Sequence, residues 1–182
     1  MPDRWKGILA GAVGGVGATA AMSAFQSLWK YVDHRVLPRT TNGTLSDEAD
    51  WVDGDGQAPA TVNAAERLAS GLFGYELDER QKGFAASAIH FGFGTVVGAV
   101  YGALAEFSAE IARGDGVPFG TALMAVSDEL GVPALGLSRP PQEKPMSSHL
   151  YGLCSHVVYG FVLETTRRAV RRALETHPER SF

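Results

Sequence analysis

Five ionisable side chains stand inside stretches that are otherwise nearly free of charge: His90, Asp128, Glu129, His149 and His156. Imidazole titrates near neutral pH, and an ionised carboxylate is purely a hydrogen-bond acceptor. Such a set can do three kinds of work. It can tie a helix bundle together through buried hydrogen bonds. It can relay protons or line a path for a small solute, with His90, Asp128, Glu129 and His156 along it. Or His90 and His156, from different helices, can ligate a haem iron. No Cys-x-x-Cys-His or His-x-x-x-His accompanies them, so the expected role is the first, with no cofactor and no metal. Ser155 beside His156 is only a sequence neighbour, and a hydrolytic triad is a matter of spatial geometry. No catalytic residue is expected, and Cys154 alone forms neither a disulfide nor a cysteine-based metal site.

The segments that must position these groups are long and apolar. Gly7–Trp29 is 23 residues without a charge, Gly83–Ala105 is 23 with His90 its one ionisable side chain, and Pro145–Leu163 is 19 with His149 and His156. About 20 apolar residues cross a hydrocarbon core of roughly 30 Å. A fourth stretch, Gly116–Leu137, is interrupted by Asp128 and Glu129 and flanked by Pro118 and Pro133. The expected fold is therefore an all-α membrane protein, a bundle of four transmembrane helices spanning about 6–29, 83–106, 116–137 and 146–166. Gly7–Trp29 is too long for a signal-peptide core and lacks a small-residue cleavage site after it, so it reads as a retained span. Successive helical residues point about 100° apart. At most one of Asp128 and Glu129 is then expected to face the bundle centre. His149, near the end of its span, is expected to reach water, and Glu106 and Glu164 to lie at the interface.

Basic residues orient the chain. Arg4 and Lys6 at one end and Arg167, Arg168, Arg171 and Arg172 at the other place both termini in the cytoplasm. The sequence 30–82 then lies outside, with six basic and ten acidic residues. Its acidic part, 38–60, reads as irregular, without calcium-hand spacing. A surface helix is expected near 61–73, with Val62, Ala65, Leu68 and Leu72 on one face. The four tail arginines make one helical stripe, 167–182 reads as a basic cytoplasmic tail, and the expected ligand is lipid phosphate. Nothing aromatic or base-reading accompanies the stripe, so nucleic acid is not an expected partner.

Two segments look duplicated. Placing "IHFGFGT" over "SHVVYGF" aligns His90 with His156, Phe93 with Tyr159 and Gly94 with Gly160; "GILAG" falls on "GVPFG" in the preceding spans. That predicts two related helical hairpins, a parallel repeat about the membrane normal. Gly7, Gly11 and Gly15 form one GxxxG row and Gly94, Gly98 and Gly102 another. With Gly160 they are expected to pack helices closely, within the chain, between copies or against a membrane-protein partner.

The stretches "KGILAGAVGG", "HFGFGTVVGAVYG", "PALGLSRPP" and "SHLYGLCSHVVYGFVLETTRR" resemble the YagU-like family of bacterial inner-membrane proteins. The resemblance implies a multi-pass protein of the cytoplasmic membrane and brings no catalytic residues. The leading expectation is a non-enzymatic, structural or accessory component of a membrane assembly. The alternative is a small proton- or solute-conducting transporter, and a haem-binding membrane protein stands behind both.

Overall fold

In a computed structural model, residues 3–36 and 58–176 are described. The acidic segment expected to be irregular falls largely at 37–57, outside them. The described residues are helical, with no strand among them. Helix α1 is Arg4–Val36, α2 is Ala60–Phe73 and α3 is Glu79–Phe107. A linker with a 3-10 turn, Ala109–Gly116, leads to α4, Val117–Met124. The chain continues through a π-helical stretch, Ala125–Gly131, into α5, Val132–Ala134, and α6 is Met146–Thr176.

Residues 117–134 form one rod, because the backbone stays right-handed helical through both junctions. At about 1.5 Å per residue it is roughly 27 Å long. Pro133 has no N–H to offer the carbonyl four residues back and its ring crowds that carbonyl. The widened π turn lies directly ahead of it. Sharp chain reversal before α4 uses positive φ at Gly114 (66°), Asp115 (53°) and Gly116 (79°); Asp tolerates that region better than most residues. Helix α3 begins with a capping box, in which Asp78 accepts from the Gln81 N–H and the Gln81 side chain accepts from the Asp78 N–H.

Glycine sets the helix order. A Cβ on Gly98 would overlap the Gly11 carbonyl, one on Gly102 the Gly7 carbonyl, and one on Gly15 the Gly94 carbonyl. α1 and α3 therefore run antiparallel with their backbones in contact. A neighbouring face of α1 meets α6, where a Cβ on Gly14 would lie 2.8 Å from the Leu163 carbonyl oxygen. α4 meets α6 through Gly116, Gly120 and Gly160 in the same manner. The lateral order is α3, α1, α6, α4, and α3 and α4 face each other with little backbone contact.

Two helices, Arg4–Val32 within α1 and Glu79–Phe107, are long and apolar enough to cross a membrane. Among the described residues their apolar windows are 39% and 22% buried. Val96, Val100 and Leu104 on α3, Ile8, Val13 and Val16 on α1, Leu130 on the π stretch and Phe161 on α6 all point outward.

α2 packs across α3, burying Val62, Ala65 and Ala69. Leu68 and Leu72, expected on one face with Val62 and Ala65, are exposed. The small side chains let α2 approach α3 closely, and the leucines are turned to the outside.

Candidate functional site

The open side between α3 and α4 holds a cavity of about 820 Å³ with mainly apolar walls. α1 lends it Thr19, Met22, Gln26 and Lys30, and α3 lends His90 and Phe93. The π stretch lends Ser127, Asp128 and Glu129, and α6 lends Ser155, His156 and Tyr159. Such a cavity, apolar with a few convergent polar groups, is the usual form of a small-molecule site.

The polar groups are placed differently. His90 Nε2 is buried and has no hydrogen-bond partner. His156 Nδ1 donates to the Gly152 carbonyl at 2.9 Å and lies 3.7 Å from Asp128 Oδ2. Asp128 Oδ1 accepts from the Ser127 hydroxyl at 2.8 Å, and Lys144 Nζ is 3.4 Å from the Asp128 carbonyl oxygen. His149 faces two acceptors, Glu129 Oε1 at 2.8 Å and the Pro141 carbonyl at 3.1 Å, so only the imidazolium donates to both.

Both carboxylates reach α6, whereas ordinary helical spacing allows one. The π turn spaces successive side chains more closely round the axis, and π turns recur at functional sites. His149, expected in water, is half-buried and paired. The structure thus brings His156 and Asp128 together, His149 and Glu129 together, and leaves His90 across the cavity without a direct partner. The haem option rests only on His90 and His156 sharing that cavity. Among the described residues no three His, Cys, Asp or Glu side chains group to hold a metal ion.

Below the cavity the bundle is sealed. Ala18, Met22, Tyr101, Tyr159 and Leu163 form a buried cluster. The Tyr159 hydroxyl donates to the Gly94 carbonyl at 2.6 Å, which occupies an acceptor exposed by the absent glycine side chain.

Beyond the seal lies a buried ion cluster that the sequence reading missed. Glu164 is fully buried. It accepts from the Tyr101 hydroxyl at 2.9 Å, from Arg167 Nε and Nη2 at 2.7 and 2.8 Å, and from Arg168 Nε at 2.5 Å. Arg168 also donates to Asp115 at 2.7 Å, which anchors the positive-φ residue. Arg171 donates to Glu106 at 2.7 Å and to Glu175 at 2.8 Å. Hydrogen bonding to Asp115 first, then Glu164, pushes the Arg168 guanidinium further up from its usual range, and Glu106 does the same for Arg171. Of the stripe assigned to lipid phosphate, Arg167, Arg168 and Arg171 therefore bind carboxylates of the chain itself. Arg172 is exposed and makes no such pair among the described residues. Residues 167–176 continue α6, in keeping with the helical stripe. Glu164 with arginines three and four residues on was the local signal for the cluster.

No curated protein and no solved structure matches the chain. A family described as "Protein of unknown function (DUF1440)" matches residues 66–165, just over half of the 182. The matched stretch includes His90, Asp128, Glu129, His149, His156 and Glu164, with all of α3 and α6 as far as Thr165. On that match, the chain belongs to the DUF1440 family.

Proposed function

We propose that this is a four-span, non-enzymatic protein of the bacterial inner membrane, with both termini cytoplasmic, that conducts protons or a small solute through the cavity between α3 and α4. The observation that carries the reading is the buried, unpartnered Nε2 of His90 facing Asp128 and His156 across that cavity. An unsatisfied polar atom in an apolar wall costs on the order of 1–3 kcal/mol, a cost that a passing proton, water or solute relieves. The seal of Met22, Tyr101, Tyr159 and Leu163 closes the way to the Glu164 cluster, so conduction requires those side chains to part.

Four spans are supported by how α6 lies on α1. Contact runs from Gly14 against Leu163 to Trp29 against Tyr151, a length of about 22 Å at 1.5 Å per residue. A bilayer that holds α1 and α3 must then hold α6 and its partner rod as well. The YagU-like motifs support the bacterial inner membrane, and the basic ends support the orientation. Two glycine-packed pairs, α1 with α3 and α4 with α6, support a duplicated hairpin with a shift in register. Gly94 faces Gly15, whereas its counterpart Gly160 faces Gly116 and Gly120. The glycine rows that an accessory role would offer to a partner are engaged within the chain, which favours conduction over that role.

Purified protein in liposomes loaded with a pH-sensitive dye provides the test, driven by a potassium gradient and valinomycin. Wild type is expected to acidify the lumen faster than empty liposomes, and His90→Ala and Asp128→Asn to abolish the excess while the protein still elutes as one folded species. Wild-type flux equal to that of empty liposomes refutes proton conduction.

A further inference from the structure

Helix α2 lies over the end of the cavity remote from Glu164. Ala58 and Pro59 just before it, and Ala60, Thr61, Val62 and Ala64 within it, form part of the cavity wall. Three side-chain hydrogen bonds hold it to the segment that follows α5. Asn63 Nδ2 donates to the Leu137 carbonyl at 2.8 Å, Arg67 Nη1 to the Leu135 carbonyl at 2.7 Å, and Arg67 Nη2 to the Gly136 carbonyl at 2.6 Å. These carbonyls close the C-terminal end of the rod 117–134, where orphan acceptors and the negative end of the helix dipole favour a cation. Gly136 has φ 66°, and a Cβ there would stand 3.3 Å from Arg67 Nη2, so the turn is shaped to receive the guanidinium. On its α3 side α2 buries only small apolar groups, Val62, Ala65 and Ala69, plus an ion pair between Glu66 and Lys82 at 3.0 Å. It ends on Gly74, in the left-handed conformation at φ 61°.

The hydrogen bonds to the segment after the rod are few and at least part-exposed, while the apolar contact is thin. An element held in this way opens more readily than the glycine-packed helices beneath it. We propose that α2 is a lid on the cavity, latched to the rod by Arg67 and Asn63 and hinged at Gly74. With the latch closed, water and solutes on that side are kept from the wall that carries His90, Asp128 and His156. With it open, the cavity admits them. The idea rests on the cavity being the conducting site only in naming what the lid guards.

Labelling in proteoliposomes tests it without any ligand. Cys154→Ser removes the native thiol, and Ser23→Cys, on the cavity wall, reports access to a water-soluble maleimide. Latch removal by Arg67→Ala is expected to raise the Ser23→Cys labelling rate about tenfold, as loss of charged hydrogen bonds implies. Asn63→Ala is expected to raise it less. A thiol at the buried seal position, Leu163→Cys, stays unreactive in each background. The lid is overturned if both latch variants label Ser23→Cys at the parental rate, or if Leu163→Cys becomes reactive in step with it, since the whole bundle has then loosened. Accelerated labelling without any proton flux would keep the lid and remove the conduction reading; flux with unchanged labelling would do the reverse.

Discussion

Truncating Glu164 should be among the most damaging single changes in the protein. Its carboxylate is fully buried and accepts from Tyr101, from Arg167 twice and from Arg168. Arg167 is itself only 9% exposed. Glu164→Ala thus leaves a guanidinium buried without its partner, a situation that costs about 3–5 kcal/mol. For a chain of this size, that lowers an apparent unfolding midpoint by roughly 6–20 °C. Arg168→Ala removes one donor of a half-exposed side chain and leaves Glu164 with Arg167 and Tyr101. Its cost should stay near the surface-pair range, about 1 kcal/mol or less. Removing both charges together, in Glu164→Gln with Arg167→Met, should be milder than Glu164→Gln alone, because no unpaired charge remains. The assay is thermal unfolding in one mild detergent, followed by loss of the monodisperse peak. A Glu164→Ala midpoint within about 2 °C of wild type, or equal to that of Arg168→Ala, would refute the cluster's assigned role.

Two further outcomes follow from the packing. Gly98→Leu forces a side chain into the Gly11 carbonyl and the Gly15 Cα, and should destabilise by at least about 1–3 kcal/mol in the same assay. Gly92→Leu, where a Cβ meets nothing within 4 Å, should be tolerated; equal losses at both positions would argue against close α1–α3 packing. Arg172→Ala should change stability by no more than about 0.5 kcal/mol, whereas a loss matching Arg171→Ala would place Arg172 in a contact of the Glu106 kind.

The apolar runs and their glycines were legible because each is a continuous local pattern. Residues 7–29 and 83–105 lie within α1 and α3, and Pro118 and Pro133 mark the two ends of the rod. What was illegible depended on tertiary pairing. Arg171 finds Glu106 and Arg168 finds Asp115 across a chain separation of more than 50 residues, so a stripe of arginines read as a lipid-phosphate face. The placement of Asp128 and Glu129 turned on a π turn, which ordinary helical periodicity does not contain. His149 was read as reaching water, although its partner, Glu129, lies on the neighbouring rod. Leu68 and Leu72 dominate the hydrophobic pattern of α2, while close packing on α3 selects its smaller side chains. Arg67 carried no local signal at all, since its partners are backbone carbonyls 68 and 69 positions away.

The most direct measurement concerns the rod 117–134, on which the four-span arrangement turns. Glu110 and Gln142 are exposed on its two sides. In a Cys154→Ser background, single cysteines at these positions are exposed in intact cells to a membrane-impermeant maleimide. Gln142→Cys is expected to label rapidly, and Glu110→Cys not until the cells are opened. Labelling of both, or of neither, in intact cells would put the two positions on one side of the membrane and contradict the four-span arrangement.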